Sequence, residues 1–376
     1  MKRVYLDWNA TTPPLDAVVD AMRDAARQSW GNPSSVHAFG RAAQALVEDA
    51  REAVARLARC DARDIVLTSG ATEANNLALR SAFAAPDARG GTLVTSRLEH
   101  PSVTRVAEAL EREGRARVRW VHVNREGTLD VADLERALAG EGTHVVAVQA
   151  VNQETGTIQP IAEVVELARR ARAQLHVDAV QAFGRIEEVA EQAATRSLAA
   201  HKMRGPKGIG ALIRQPGVAM APVLVGGSQE RGLRPGTVDP VAAAGLAVAA
   251  RHALSSPARW AKLRPLRDAF EAGILRLAAK ARLNGATSSR APHLASVAFP
   301  GWSGPELVAA LDLEGVAASS GSACSAGTAE PSAPLVAMGD AEAASSTVRF
   351  SLGEETTPAD IDFALAALER ILHRVG

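Results

Sequence analysis

DIVLTSGATEANNLALRSAF, residues 64–83, reads as a strand (64–69), a small-residue turn and an amphipathic helix (71–83). The same alternation recurs through to about Arg214. GTLVTS (91–96) is the next strand, PSVTRVAEALERE (101–113) its helix and RVRWVHV (117–123) another strand. THVVAVQAV (143–151), AEVVELARRARA (162–173) and QLHVDAV (174–180) continue the series. Strands separated by helical stretches of this length form crossover units, so the expected fold class is α/β with a mainly parallel sheet between helices. Ligands of such sheets lie outside the carboxyl ends of the strands.

A second, smaller α+β unit is expected after the apolar helix PVAAAGLAVAARHAL (240–254), where SSP (255–257) breaks the pattern. WAKLRPLRDAFEAGILRLAAKA (260–281) reads as one long helix. HLASVAF (293–299) follows as a strand, PELVAALDLE (305–314) as a helix, SSGSACSAGTAEPS (319–332) as a loop and STVRFSL (346–352) as a strand. In the last helix Thr357 can cap, Pro358 suits the first turn and Asp360 favours the positive end. The expected division is 12–256 for the large unit, with 1–11 and 257–376 forming the small one.

Lysine plus arginine and aspartate plus glutamate balance at 42 each in 376 residues. A neutral chain lacks the basic excess that nucleic-acid binding needs. The opening MKRVYLD meets Asp7 before an apolar run can build, and no segment is apolar for the roughly 18 residues of a membrane span. Two cysteines, Cys60 and Cys324, and nine scattered histidines argue against a disulfide framework or a metal site. A soluble, reduced, cytoplasmic protein is expected.

Three features point to pyridoxal 5'-phosphate. Ser69 and Gly70 turn into a helix whose first residues, Ala71 and Thr72, offer free N–H groups and the positive dipole end to a phosphate. Asp178 ends an apolar strand, where a carboxylate needs a partner. A pyridinium N–H would be one; capping a turn is the plainer alternative. Gln181, three residues on, could donate to a phenolic oxygen. Lys202, in SLAAHKMRGPKGIGAL (197–212), lies between small residues and a Gly/Pro turn that leaves room for an adduct. It is favoured over Lys207, which is inside the turn, and His201 precedes it. A neighbouring cation and partial burial would lower the amine's basicity. His100, after a strand and before Pro101, can lie on a cofactor ring and move protons. Cys324 lies in a pliant polar loop without apolar packing, which suits a travelling nucleophile. Cys60, in RLARCDARD, reads as a small buried hydrophobe.

Nine motifs in order then resemble one family: YLDWNATTP, GNPSSVHAFGR, TSGATEANN, VNQETGTIQPI, HVDAVQAFG, AHKMRGPKGIGAL, QERGLRPGT, SSGSACSAG and VRFSLG. From about residue 4 to 370 the chain is similar to cysteine desulfurases of the NifS/IscS type, within the class-V aminotransferase family of fold-type I pyridoxal-phosphate enzymes. The resemblance implies a seven-stranded sheet and a homodimer with active sites at the subunit interface. Lys202 would carry the cofactor, Asp178 would pair with its ring nitrogen and His100 would stack on it. Ala71, Thr72 and His201 would bind the phosphate, with Thr237 reaching it from the other subunit. Gln153 would stand near the phenolic oxygen, and Arg349 would hold the carboxylate of L-cysteine. Cys324 would take the sulfur as a persulfide and pass it to an acceptor protein for iron–sulfur cluster assembly or tRNA thiolation.

The sequence departs from the family pattern at three places. Ala199 replaces a serine three residues before the lysine, Gln153 a usual asparagine and Arg204 a usual aromatic or histidine. The alternatives are a selenocysteine lyase, a small-amino-acid aminotransferase, or a catalytically weak sulfur carrier or scaffold.

Overall fold

A computed structural model describes residues 2–375 except 86, 87, 89, 141, 143, 188, 189 and 321–330. The central sheet has seven strands, in the order Ile65–Thr68, Gly210–Arg214, Thr195–Ala199, Gln174–Asp178, His144–Gln149, Gly91–Ser96 and Ala116–Val121. All pairings are parallel except those of Gly210–Arg214, which runs antiparallel to both its neighbours. The strand His144–Gln149 is buried along its whole length, as expected where helices cover both faces. Its alternation sorts the two layers. Val146 and Val148 pack with Val47, Val54 and Leu246 from helices Ala38–Ala58 and Pro240–Ala253. Val145 and Ala147 face Leu79, Val103 and Leu110 from helices Ala71–Ala82 and Pro101–Arg112. Register sets Gln149 beside Asp178 and Asp178 beside Ser197, at the carboxyl edge of the sheet.

A second core joins Phe270, Ile274, Val297, Leu307, Leu311, Val348, Phe350 and Leu368. Its antiparallel sheet pairs Thr347–Ser351 with Leu294–Ala298, and Leu294–Ala298 with Arg282–Leu283. The N-terminal segment links the two cores. Val4–Tyr5 pairs with Val316–Ala317, Trp8 packs in the second core, and Thr12 N donates to the His201 carbonyl at 3.0 Å. A Cβ at Gly353 would lie within 2 Å of the Trp8 ring, so only glycine admits the indole there.

The expected helix over 260–281 is two helices, Ser256–Ala261 and Arg264–Leu277. Pro265 has no N–H for the preceding turn and its ring crowds that turn, so it starts a helix and cannot continue one. The helices Asp16–Gln28 and Ala38–Ala58 stand outside the expected elements. The final helix, Pro358–Val375, starts as read: Asp360 N donates to Thr357 Oγ1 (3.3 Å) and Thr357 N to Asp360 Oδ2 (3.0 Å). Among the described residues no helix is long and apolar enough to cross a membrane.

Candidate active site

Three chain reversals at the carboxyl edge of the sheet bring Asp178, His100 and Lys202 together. Asp178 ends its strand, His100 caps the helix Pro101–Arg112, and Lys202 closes the turn Ala200–Lys202 after the strand Thr195–Ala199. Asp178 is 7% exposed. Its Oδ1 accepts from Val180 N (3.1 Å), so the turn-capping alternative is also true, while Oδ2 accepts from Asn75 Nδ2 (2.8 Å). Among the described residues no lysine, arginine or histidine forms an ion pair with it.

Asn75 organises the surroundings of Asp178. Its Nδ2 also donates to Ser102 Oγ (2.8 Å), which leaves the serine hydroxyl to donate to His100 Nδ1 (2.8 Å). Asn75 Oδ1 can only accept, so His176 Nε2 carries the hydrogen (3.0 Å) and His176 Nδ1 accepts from Thr195 Oγ1 (2.9 Å). Burial pushes the His176 pKa down to about 4. Burial also lowers that of His100; Asp178 opposes the shift and Lys202 adds to it. Neutral His100, with Nδ1 accepting from Ser102 N and Oγ, therefore carries its proton on Nε2. Next to it Glu99 is buried, with Oε1 accepting from Ser96 Oγ (3.0 Å) and Oε2 without a partner among the described residues. Burial and the Asp178 charge raise the Glu99 pKa well above the ordinary range.

Lys202 Nζ donates to the main-chain carbonyls of Asn9 (2.5 Å) and Ala10 (2.9 Å). His201 Nδ1 lies 3.1 Å from Thr11 Oγ1, and burial, with Lys202, Lys207 and Arg185 nearby, lowers its pKa to about 4. The helix at Ala71 and Thr72 begins after Gly70, at φ 152°, and no side chain caps it. A Cβ at Gly210 would sit 2.5 Å from the Leu198 carbonyl and 2.8 Å from Gly70 Cα, so glycine at 210 lets the two turns close together. Ala199 is buried and brings no hydroxyl to this end.

Arg349, 3% exposed, donates to Asp7 Oδ1 (2.7 Å) and to the Gln153 carbonyl (3.1 Å), and its Nε has no partner among the described residues. Gln153 thus meets Arg349 through its carbonyl, while its side chain bonds to Glu154. Gln181 donates to the Asn9 carbonyl (3.2 Å) and accepts from Arg185. Thr237 is exposed; among the described residues no hydrogen bond ties it to the Lys202 cluster of its own chain. Arg204, at φ 64°, ties Lys202's turn to Thr12, Pro13 and Glu355. Cys324 lies outside the described residues. Cys60 is half-buried, and burial pushes its thiol up to about 11, which leaves it unreactive at neutral pH.

Residues 4–363 match the family model for aminotransferase class-V. The chain belongs to the class-V aminotransferase family. Within that family it is 37% identical over 380 residues to a protein named cysteine desulfurase IscS from Dictyoglomus turgidum, covering 100% of this chain and 96% of the other. A solved NifS-like protein superposes with a TM-score of 0.91 at 33% identity, over 99% of this chain and 100% of that one. SspA, solved in complex with cysteine, gives a TM-score of 0.81 at 30% identity, over 94% of this chain and 99% of that one. The cofactor of this family is pyridoxal 5'-phosphate. The site fits it: an uncapped helix N-terminus for a phosphate, a buried carboxylate with no cation paired to it among the described residues for a ring N–H, and a lysine in the turn after the neighbouring strand.

Asn75, Asn9, Arg185 and Glu99 are the site residues that the sequence reading did not single out. Two of them sat inside quoted motifs, Asn75 in TSGATEANN and Asn9 in YLDWNATTP. The available signal was an amide type that hydrogen-bonds in both directions.

Proposed function

We propose that the protein is a cysteine desulfurase that takes sulfur from L-cysteine onto Cys324 and releases L-alanine. The observation that carries this reading is the convergence of Lys202, Asp178 and His100 at the sheet edge, with Arg349 linked to the Lys202 amine through the Gln153 carbonyl and Asn9. When bound, pyridoxal 5'-phosphate supplies an aldehyde for an amine and a ring that accepts the electron pair freed at the substrate α-carbon.

Lys202 would join the cofactor and, once released, move the α-proton, with His100 assisting from Nε2. Asp178 would pair with the ring N–H. Ala71, Thr72 and His201 would hold the phosphate; neutral His201 can still donate one N–H. Gln181 and Gln153 would lie toward the phenolic oxygen. Arg349 would bind the cysteine carboxylate through its unpartnered Nε edge. Cys324, as thiolate, would attack the substrate sulfur as its Cβ–S bond breaks. The bond's electron pair would stay on the β-carbon, which takes up a proton on the way to alanine. Cys324 would hold the sulfur as a persulfide for an acceptor protein of iron–sulfur assembly or tRNA thiolation.

The active form would be a homodimer in the cytoplasm, Thr237 of each copy completing the other's phosphate site. Exposed Trp30, Val36, Phe39, Leu224 and Val225 support such an interface, and Ser34 lines one cleft with Gln229, Arg231 and Val238, next to Thr237. The two cores support a large unit of 12–256 and a small one of 1–11 and 257–376.

Incubation with cysteine followed by mass spectrometry tests the reading. Cys324 should gain one sulfur, and Cys324→Ala should lose nearly all sulfide release. Full-rate sulfide release by that variant, or pyruvate and ammonia in place of alanine, would overturn it.

A further inference from the structure

Arg185 is 1% exposed, and among the described residues no carboxylate pairs with it. Burial, reinforced by Arg349, lowers its pKa to about 9. An unpaired buried guanidinium is costly unless its N–H groups are used. Here NH1 donates to Asn9 Oδ1 (2.7 Å) and to Gln181 Oε1, and NH2 to the carbonyls of Trp8 (3.0 Å) and Lys202 (3.2 Å). Its plane rests 4.8 Å from the Trp260 ring centre.

Apart from Gln181, four residues away on its own segment, these acceptors belong to the two chain segments that meet at the reacting amine. Asn9 is held at every polar atom. Its N donates to Ser351 Oγ (2.9 Å), Nδ2 to the Gln153 carbonyl (3.1 Å), and Oδ1 also accepts from His293 Nε2 (2.8 Å). Its carbonyl receives both Gln181 Nε2 and Lys202 Nζ.

We propose that Arg185 is a positioning residue that, through Asn9 and the Lys202 carbonyl, fixes the resting place of the Lys202 amine whenever that amine is not joined to the cofactor. The inference rests on the functional reading above. A lysine without that resting place spreads over its rotamers, which corresponds to roughly 30-fold in the occupancy of one geometry. Arg185 itself touches no reacting atom.

The test adds pyridoxal 5'-phosphate to cofactor-free protein and follows the growth of the lysine-bound absorbance band at several concentrations. The half-saturation concentration reports reversible binding, and the limiting rate reports capture by the amine. Arg185→Met should slow capture roughly 10–30-fold while half-saturation stays within about twofold. A merely structural role would weaken binding or melt the protein and leave the limiting rate alone; an unchanged rate overturns the proposal. Should Arg185→Met fail to fold, Asn9→Ala decides. It keeps the main-chain carbonyl but drops the link, so capture at least about threefold slower supports the proposal and wild-type capture overturns it. Wild-type protein that forms no such band would overturn the functional reading and this inference together.

Discussion

Asp178 and Arg349 are both charged and both buried to within a few per cent of their surface, yet their surroundings are built from different materials. Around Asp178 the partners are uncharged: the Asn75 amide, the Val180 N–H and, one step out, neutral His176 and Ser102. That chain has a fixed direction, from Thr195 through His176 and Asn75 to Ser102 and His100, and it sets the tautomers of both histidines. Around Arg349 the partners include a carboxylate, Asp7, and a second buried cation lies close by in Arg185. The first arrangement leaves one anion with no ion-pair partner among the described residues; the second leaves the guanidinium Nε without a partner among them. Under the proposed function a ring must be held rigidly, whereas a substrate carboxylate must arrive and leave, and the two constructions would suit those tasks.

The comparison breaks first at Arg349. Arg349→Ala should raise the KM for cysteine by roughly 10–100-fold, the worth of a lost charge-assisted bond of about 1.5–3 kcal/mol, with a smaller change in kcat. Steady-state kinetics check this, and an unchanged KM would remove the carboxylate from that pocket. Asn75→Ala should act the other way round, lowering kcat about tenfold with little change in KM. It leaves Asp178, His176 and Ser102 short of a partner, at a cost of about 1–3 kcal/mol that also appears as a lower Tm.

Near neutral pH the smallest effect is that of pH itself. Folded His176 titrates at about 4 against 6.5 for the free side chain, so the unfolded chain binds the proton first. Its stabilising share is complete above pH 6.5 and is lost as pH falls toward 4. The loss is under about 1 kcal/mol down to pH 6 and ~3 kcal/mol below pH 4. The His176 ring resonances in an NMR titration should stay still from pH 8 to 5, and a midpoint near 6.5 would contradict the buried network.

The large sheet was legible because its strands and helices carry their own periodicity; GTLVTS forms the strand Gly91–Ser96 as read. The break in 260–281 is marked in the sequence by Pro265, within apolar spacing that runs on across it as if through one helix. Helices Asp16–Gln28 and Ala38–Ala58 lie outside the expected elements; both pack against Pro240–Ala253. Lys202, Asp178 and His100 stand out in the sequence because each lies at the boundary of an element, where sequence pattern changes. Asn75 and Arg185 do not, because their partners stand 103 and 176 residues away. No local pattern records a hydrogen bond between distant segments. The departures read in the sequence also take on physical meaning: Arg204 braces the N-terminal segment against Lys202's turn.

The most direct test loads the protein with pyridoxal 5'-phosphate, reduces it with borohydride and maps the peptides by mass spectrometry. The account predicts a yellow protein bleached by reduction, with the adduct on the Lys202 ε-nitrogen. A colourless protein, or an adduct on Lys207 or any other lysine, would contradict it.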